Sequence, residues 1–171
     1  MAQNAMLQTD GSGGKHPAAD LDTIVVDPED VLEMQRRNHR DANENRSHVL
    51  RVTPPLKGER KASLHVSEDY TFYPPDMSVE PLHIGERTLF AGGPDRQMDP
   101  ALKYPDVEVD RQEFESHAED DVEWEEWREV SLDVWESNVR NAMEGSREIE
   151  LGAFVPEIEG TTITVCFESD E

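Results

Sequence analysis

Asp30-Val31-Leu32-Glu33-Met34-Gln35-Arg36-Arg37-Asn38 returns 103 residues later as Asp133-Val134-Trp135-Glu136-Ser137-Asn138-Val139-Arg140-Asn141. Asp, Val, Glu, Arg and Asn keep their places, which gives the pattern D-V-x-E-x-x-x-R-N. Each copy reads as a helix followed by two strand-like runs. A helix–strand–strand unit cannot bury both faces of its hairpin alone, so two units are expected to share a core. The predicted fold is α+β, with duplicated helix–strand–strand units forming one antiparallel sheet and the helices on one face. The copies span about 24–67 and 131–169, with a long irregular insert at about 68–130. Residues 1–21, which include Gly11-Ser12-Gly13-Gly14, read as a flexible tail before a single domain over 22–171.

Local signals place the elements. Ile24-Val25-Val26 is either a short strand or the apolar lead-in to a helix. Asp27-Pro28-Glu29-Asp30 is a helix start, with a capping Asp, a proline suited to the first turn and acids that favour the dipole. That helix should reach His39 or Asp41. Val49–Thr53 reads as a strand, Lys57-Gly58-Glu59 as a turn and Ala62–Val66 as the returning strand. Tyr70–Tyr73 and Val79–Ile84 are weaker strand candidates among Pro74, Pro75 and Pro81. Asp110 and Glu113 could cap a helix through His117, and Ser131 the second repeated helix, which stops at Gly145. Thr162–Glu168 is the cleanest strand, with Ile163, Val165 and Phe167 inward.

The copies differ informatively. Val139, Ala142 and Met143 of the second helix answer Arg36, His39 and Arg40 of the first. The second helix is therefore expected to be buried along its length, while the first buries mainly Val31, Leu32 and Met34. The shared Arg37/Arg140 should pair with Glu33/Glu136 one turn earlier.

The chain carries 39 acidic residues against 16 Lys and Arg in 171, a formal charge of −23. Self-repulsion of that size opposes compaction, but at molar salt the Debye length falls to about 3 Å and the repulsion is screened. The composition, with motifs such as Arg51-Val52-Thr53-Pro54-Pro55, resembles small uncharacterised proteins of salt-loving archaea. The resemblance implies a salty cytoplasm and no particular activity. With no apolar run long enough for a membrane helix and no Sec-type leader, a cytoplasmic protein is expected. Cys166 is the sole cysteine, so an internal disulfide and a cysteine-based zinc site are excluded.

Positive charge is segregated. Arg36, Arg37, Arg40, Arg46, Arg51, Lys57, Arg60 and Lys61 face only three acids within 36–61, net +5, while 106–171 holds 22 acids against 4 arginines, net −18. These eight residues form a candidate surface for an anionic partner; alternatively they pair internally with the acidic stretch 113–129. Phosphate binding driven by counterion release weakens steeply with salt, which favours internal pairing in a salt-adapted protein.

No catalytic frame is legible. There is no G-x-S-x-G and no phosphate loop at Gly92-Gly93. His39, His48, His65 and His83 lack a recognised ligand spacing. His48 and His65 are expected near opposite ends of neighbouring strands, with no acid locked beside either. Glu123, Glu125, Glu126 and Glu129 read as a solvated helical face with Trp124 and Trp127 turned inward. No cofactor or metal is expected. The leading functional expectation is a non-enzymatic protein that binds a partner macromolecule. The alternatives are an accessory nucleic-acid-binding regulator using 36–61, or an enzyme with an unrecognised site.

Overall fold

Strand β1 (Asp20–Val26) runs through the middle of the larger of two sheets. Its buried Leu21, Ile24 and Val26 mark the inner face, with the register slipping between Leu21 and Thr23. The computed structural model describes residues 17–42, 44, 46–68, 81–92, 96–150 and 162–168. The Gly-rich stretch at 11–14 and the strand expected at Tyr70–Tyr73 lie outside them. Residues 17–21, expected to belong to a tail, are structured: Pro17–Ala19 forms a 3-10 turn, Ala18 is fully buried, and β1 begins at Asp20.

Helix α1 (Pro28–Arg40) follows as expected. The Asp27 carboxylate accepts from Glu29 N–H at 2.9 Å and Pro28 occupies the first turn. Val31, Leu32, Met34 and Gln35 are buried, a stripe at helical spacing. Each of the three apolar members contributes about 1.5–3 kcal/mol by leaving water. The chain continues through β2 (Arg46–Val52), β3 (Lys57–Lys61), β4 (Ser63–Glu68), β5 (Leu82–Ile84) and α2 (Glu86–Ala91). A 3-10 turn at Pro100–Leu102, α3 (Val107–His117), α4 (Trp124–Ala142), β6 (Ser146–Glu150) and β7 (Thr162–Phe167) complete it.

The fold is mixed α+β with the helices mostly on one side. Both expected hairpin pairings form and both are antiparallel: β2 with β4, matching Leu50 to Leu64, and β6 with β7, matching Ile149 to Ile163. They do not join into one sheet. β4-β2-β5 is a three-stranded antiparallel sheet, and β3-β1-β7-β6 a four-stranded one in which β1 is parallel to both neighbours. The larger sheet is closed by β1 pairing with β7, Ile24 beside Val165, rather than by joining the two hairpins edge to edge.

The expected turn at Lys57-Gly58-Glu59 is instead part of β3, the edge strand beside β1. Its sequence KGERK has no apolar residue, and Lys57, Glu59 and Lys61 alternate outward. Charge of this kind keeps an edge from pairing with another chain, and it also hides the strand from a hydrophobicity reading.

The insert at 68–130 is more regular than expected, since it holds β5, α2, α3 and the first turns of α4. Its prolines begin elements as well as break them. Pro100 follows the capping Asp99, whose carboxylate accepts from Ala101 N–H at 3.0 Å, and Pro105 precedes Asp106, which caps α3 through Glu108 N–H and Val109 N–H. Asp106, not Asp110, is therefore the cap, and Ser131 lies inside α4 rather than at its start. Gly92 ends α2 at φ 80°, its N–H donating to Thr88 O, and Gly145 turns the chain after α4 at φ 80°, where a side chain would be strained.

The burial expected of the two repeated helices is corrected. Helix α4 buries only Trp135 and Val139 within its 19 residues, with Met143 just beyond, whereas the shorter α1 buries four. α1 packs on its own hairpin strands β2 and β4, while α4 rests on α1, α3 and the Pro100–Leu102 turn. One apolar cluster joins both sheets and both helices, from Ile24 and Val165 through Leu32 and Leu50 to Trp135 and Val139.

Candidate functional site

The repeated polar residues lace the two helices together. Arg37 Nε donates to Glu33 at 2.9 Å and Arg140 Nε to Glu136 at 2.8 Å, the same one-turn pair in each copy. Arg36 also reaches across to Glu136 at 3.2 Å, and Arg140 to Glu29 at 2.7 Å. The Arg36 guanidinium lies 5.5 Å from the centre of the buried Trp135 ring.

The repeated asparagines have unlike settings. Asn141 is exposed. Asn38 acts on β2 as a neighbouring strand would: its Oδ1 accepts from His48 N–H at 2.6 Å and its Nδ2 donates to His48 O at 2.9 Å. Nδ2 also donates to Glu86 Oε2 at 2.8 Å. Gln35, fully buried one turn earlier, donates from Nε2 to Leu102 O at 2.7 Å and to Glu86 Oε1 at 3.3 Å. Two acceptors on Nε2 fix the amide's orientation, and Oε1 is buried without a partner among the described residues. Glu86 thereby joins the start of α2 to α1. Gln35, Asn38 and Glu86 line a cavity of about 760 Å³ together with His39, Met98 and Tyr104. The Tyr104 ring lies 4.6 Å from His39 and edge-on to Trp135 at 4.8 Å.

Beside this cavity, Asp41 and His48 are both buried and joined, His48 Nε2 to Asp41 Oδ2 at 2.9 Å. The expectation that no acid is locked beside His48 is thus overturned. The Arg40 guanidinium, bonded to both Asp41 oxygens at 3.0 and 3.3 Å, and then His48, hold the Asp41 carboxyl far below the usual carboxylate range. A carboxyl whose folded pKa is depressed contributes stability above its unfolded value and loses it as pH falls toward the folded one. The gap in urea midpoint between the native protein and Asp41→Asn is therefore expected to hold above about pH 5 and to close steadily below about pH 4. A gap that widened on acidification would contradict the assignment.

A second surface lies on α3 and α4. Phe114 sits edge-on to Trp124 at 5.6 Å and to Trp127 at 5.9 Å, so the two tryptophans, expected inward, are half-buried against α3 outside the core, while Glu125 and Glu126 between them are exposed. Asp110 pairs with Arg128, whose guanidinium also donates to Pro105 O at 3.1 Å. This hairpin nevertheless leaves apolar surface uncovered. Val107, Val109, Val130 and Val134, at 41–57% exposure, are the large hydrophobic residues exposed among the described residues, and all four lie on these two helices. A groove of about 510 Å³ runs over Val122, Trp127, Val130 and Val134, with Asp110, Glu113 and Glu126 also lining it.

The eight cations singled out in the sequence are distributed over three elements. Arg36, Arg37 and Arg40 are on α1, Arg46 and Arg51 on β2, and Lys57, Arg60 and Lys61 on β3 in the other sheet. Several are engaged within the molecule: Arg36 and Arg37 with Glu33, Arg40 with Asp41, Arg46 with Glu44, and Arg60 with Thr53 O. The acids they meet lie on α1, on α4 and in the α1–β2 connection rather than in the stretch 113–129. His48 and His65 stand on adjacent strands one register step apart, with Val49 opposite His65. His65 stacks on His83 at 5.5 Å, and burial, with Arg51 alongside, lowers its pKa. Among the described residues no three His, Cys, Asp or Glu side chains gather as a metal site would require.

Residues 11–161 match the family described as "Domain of unknown function (DUF8009)". The chain belongs to this family. The DUF8009 match takes in both the α1–α2 cavity and the α3–α4 groove. No curated protein and no solved structure matches the chain. No helix among the described residues is long and apolar enough to cross a membrane.

Two groups of residues in these sites carry no sequence signal of their role. Gln35, Asp41 and Glu86 are polar residues in or beside helices and read as surface, while Asn38 is marked by the repeat without any sign of what it binds. The groove valines are spaced as a core stripe would be, and only the placement of α3 and α4 shows them uncovered.

Proposed function

We propose that the protein is a non-enzymatic binding protein of a salt-adapted cytoplasm that docks a cationic, amphipathic segment of a partner protein on the α3–α4 groove. The supporting observation is that the large hydrophobic residues exposed among the described residues all lie on this one helical pair, two of them, Val130 and Val134, in a groove that carboxylates also line. Scattered exposed hydrophobics need no explanation, whereas a contiguous patch edged with charge marks an interaction surface. A second copy of the chain is a poor occupant, because it would bring acidic edges into contact, and like charges across an interface cost affinity. A partner with apolar anchors and flanking Lys or Arg fits both features. The apolar floor preserves affinity in salt, where the carboxylates are screened.

The test uses the full chain and a helical Leu/Lys heptad peptide, with the same peptide carrying Glu for Lys as comparison. Binding is read from Trp fluorescence, with Val130→Asp/Val134→Asp as the variant. The Lys peptide is expected to bind at least about tenfold tighter than the Glu peptide, and the variant to lose that binding while melting like the native protein. Equal affinity for the two peptides, or an unaffected variant, would sink the proposal. A native dimer dissolved by the variant would replace the partner segment with a second copy.

A further inference from the structure

Resting on the docking function proposed above, we infer that the partner segment in the α3–α4 groove is a short helix, in contact over about two turns, whose lysines or arginines are gathered at one end.

The floor of the groove has the period of a helix. Trp127, Val130 and Val134 stand at i, i+3 and i+7 on α4. Trp127 to Val134 spans about 10 Å at the rise of an α-helix, the length of two turns. Apart from Val122, every residue lining the groove lies within α3 or α4. Nearly all backbone groups of the walls are therefore bonded inside those two helices. An extended segment needs a backbone edge to pair with, and the groove offers side chains instead. A helix brings its backbone bonds already made and requires only a matching apolar stripe.

Charge along the groove is uneven. Asp110 is neutralised by Arg128. The exposed carboxylates on the lining are Glu113, about one turn further along α3, and Glu126, beside Trp127 in the first turn of α4. The neighbour of Glu113 is the exposed His117, 3.2 Å away, which an incoming lysine can displace. Both glutamates lie toward the turn that joins the helices. There Val122 N–H donates to Glu119 O at 3.1 Å, and Glu119, Asp120 and Asp121 are exposed. Toward Val130 and Val134 the lining is apolar apart from Ser131. Lysines spread along the whole partner helix would set some of them against valine. Complementarity places them instead at the end that lies over Glu113, Glu126 and the acidic turn.

A contact of two turns is well below the roughly 800 Å² per partner of a standard interface. A free helix of that length is also marginal in water, so ordering it offsets part of the gain on docking. The expected Kd is therefore micromolar or weaker, as suits a partner held briefly.

The test uses the full chain and lysine peptides of equal length and composition, each with leucines at i, i+3 and i+7. Two gather the lysines at the N-terminal or the C-terminal end, and a third shares them between both ends. A fourth repeats the tighter of the first two with a proline between its leucines. Trp fluorescence gives the affinities and circular dichroism the helix gained, at about 0.15 M KCl, where the Debye length is about 8 Å. One end-gathered peptide should bind about fivefold tighter than the shared one, and the proline should weaken it at least about tenfold. Glu113→Gln/Glu126→Gln, two exposed changes, should bring the end-gathered peptide down to the level of the shared one. Glu115→Gln/Glu125→Gln removes the same charge off the groove lining and should leave the affinity within about twofold. Equal affinity of the first three peptides, or a proline peptide as tight as its parent, would overturn this inference and leave the docking function standing. No binding by any lysine peptide would overturn both.

Discussion

Val139→Asp is expected to abolish cooperative folding. Val139 is fully buried in the cluster that joins both sheets to α1 and α4, with Trp135 one turn before it and Met143 one turn after. A carboxylate there has no cation within the apolar cluster to pair with. Breaking a buried pair to leave a lone charge costs about 3–5 kcal/mol, and the lost packing of the valine adds to it. Against a total stability of about 5–15 kcal/mol, that removes from about a third to all of the margin. Circular dichroism on heating should show no native baseline, or a melting midpoint lowered by tens of degrees. Val134→Asp is the control on the same helix: Val134 is 54% exposed and should shift the midpoint little. Val134 occupies the place in the repeat of the fully buried Val31, so Val31→Asp should resemble Val139→Asp rather than its own counterpart. Equal shifts for Val134→Asp and Val31→Asp would mean that the two helices have equivalent surroundings, contrary to the packing described above.

The second large effect is expected at Asn38. Asn38→Leu keeps the γ-branched shape but strips three hydrogen bonds, from His48 N–H, to His48 O and to Glu86. Each polar group left partly buried without a partner costs about 1–3 kcal/mol, so a loss of about 2–4 kcal/mol is expected once water reaches some of them. Asn38→Asp retains an acceptor for His48 N–H but turns a second carboxylate against His48 O and Glu86, and should be comparably damaging. Asn141→Leu, the same substitution in the other copy, should stay within about 0.5 kcal/mol. Urea midpoints of the three variants decide the matter. A tolerant Asn38→Leu would show that the clamp between α1 and β2 contributes nothing net.

These two predictions mark where the sequence was informative. The repeated D-V-x-E-x-x-x-R-N located both helices and the one-turn Arg–Glu pairs, because those depend on spacing within a helix. Asp27-Pro28 located the start of α1, and the alternation of Ile163 and Val165 located β7, for the same local reason. The assignment of hairpins to sheets depends on long-range pairing. Thr23 meets Thr164, and nothing near either residue announces the other. β3 was misread because an edge strand protected by charge has the composition of a turn. The end of α3 at His117 was legible, but its start was placed at Asp110 instead of Asp106, because none of its residues is buried and its apolar period is weak. The candidate cavity was illegible for another reason. Asn38 is separated from Glu86 by 48 residues and Gln35 from Leu102 by 67, and a polar side chain on a helix shows its partner only after the chain has folded.

The parallel pairing of β1 with β3 and β7 has a consequence for synthesis. β1 ends at Val26, and one of its two neighbours, β7, begins only at Thr162. A nascent chain leaving the ribosome therefore carries a half-satisfied apolar strand until β7, more than 130 residues further on, has emerged. Such distant closure is slow, and it leaves peptide groups bare to other chains in the meantime. Fragments released before β7 is made keep that open side, which marks them for aggregation or for disposal by proteases.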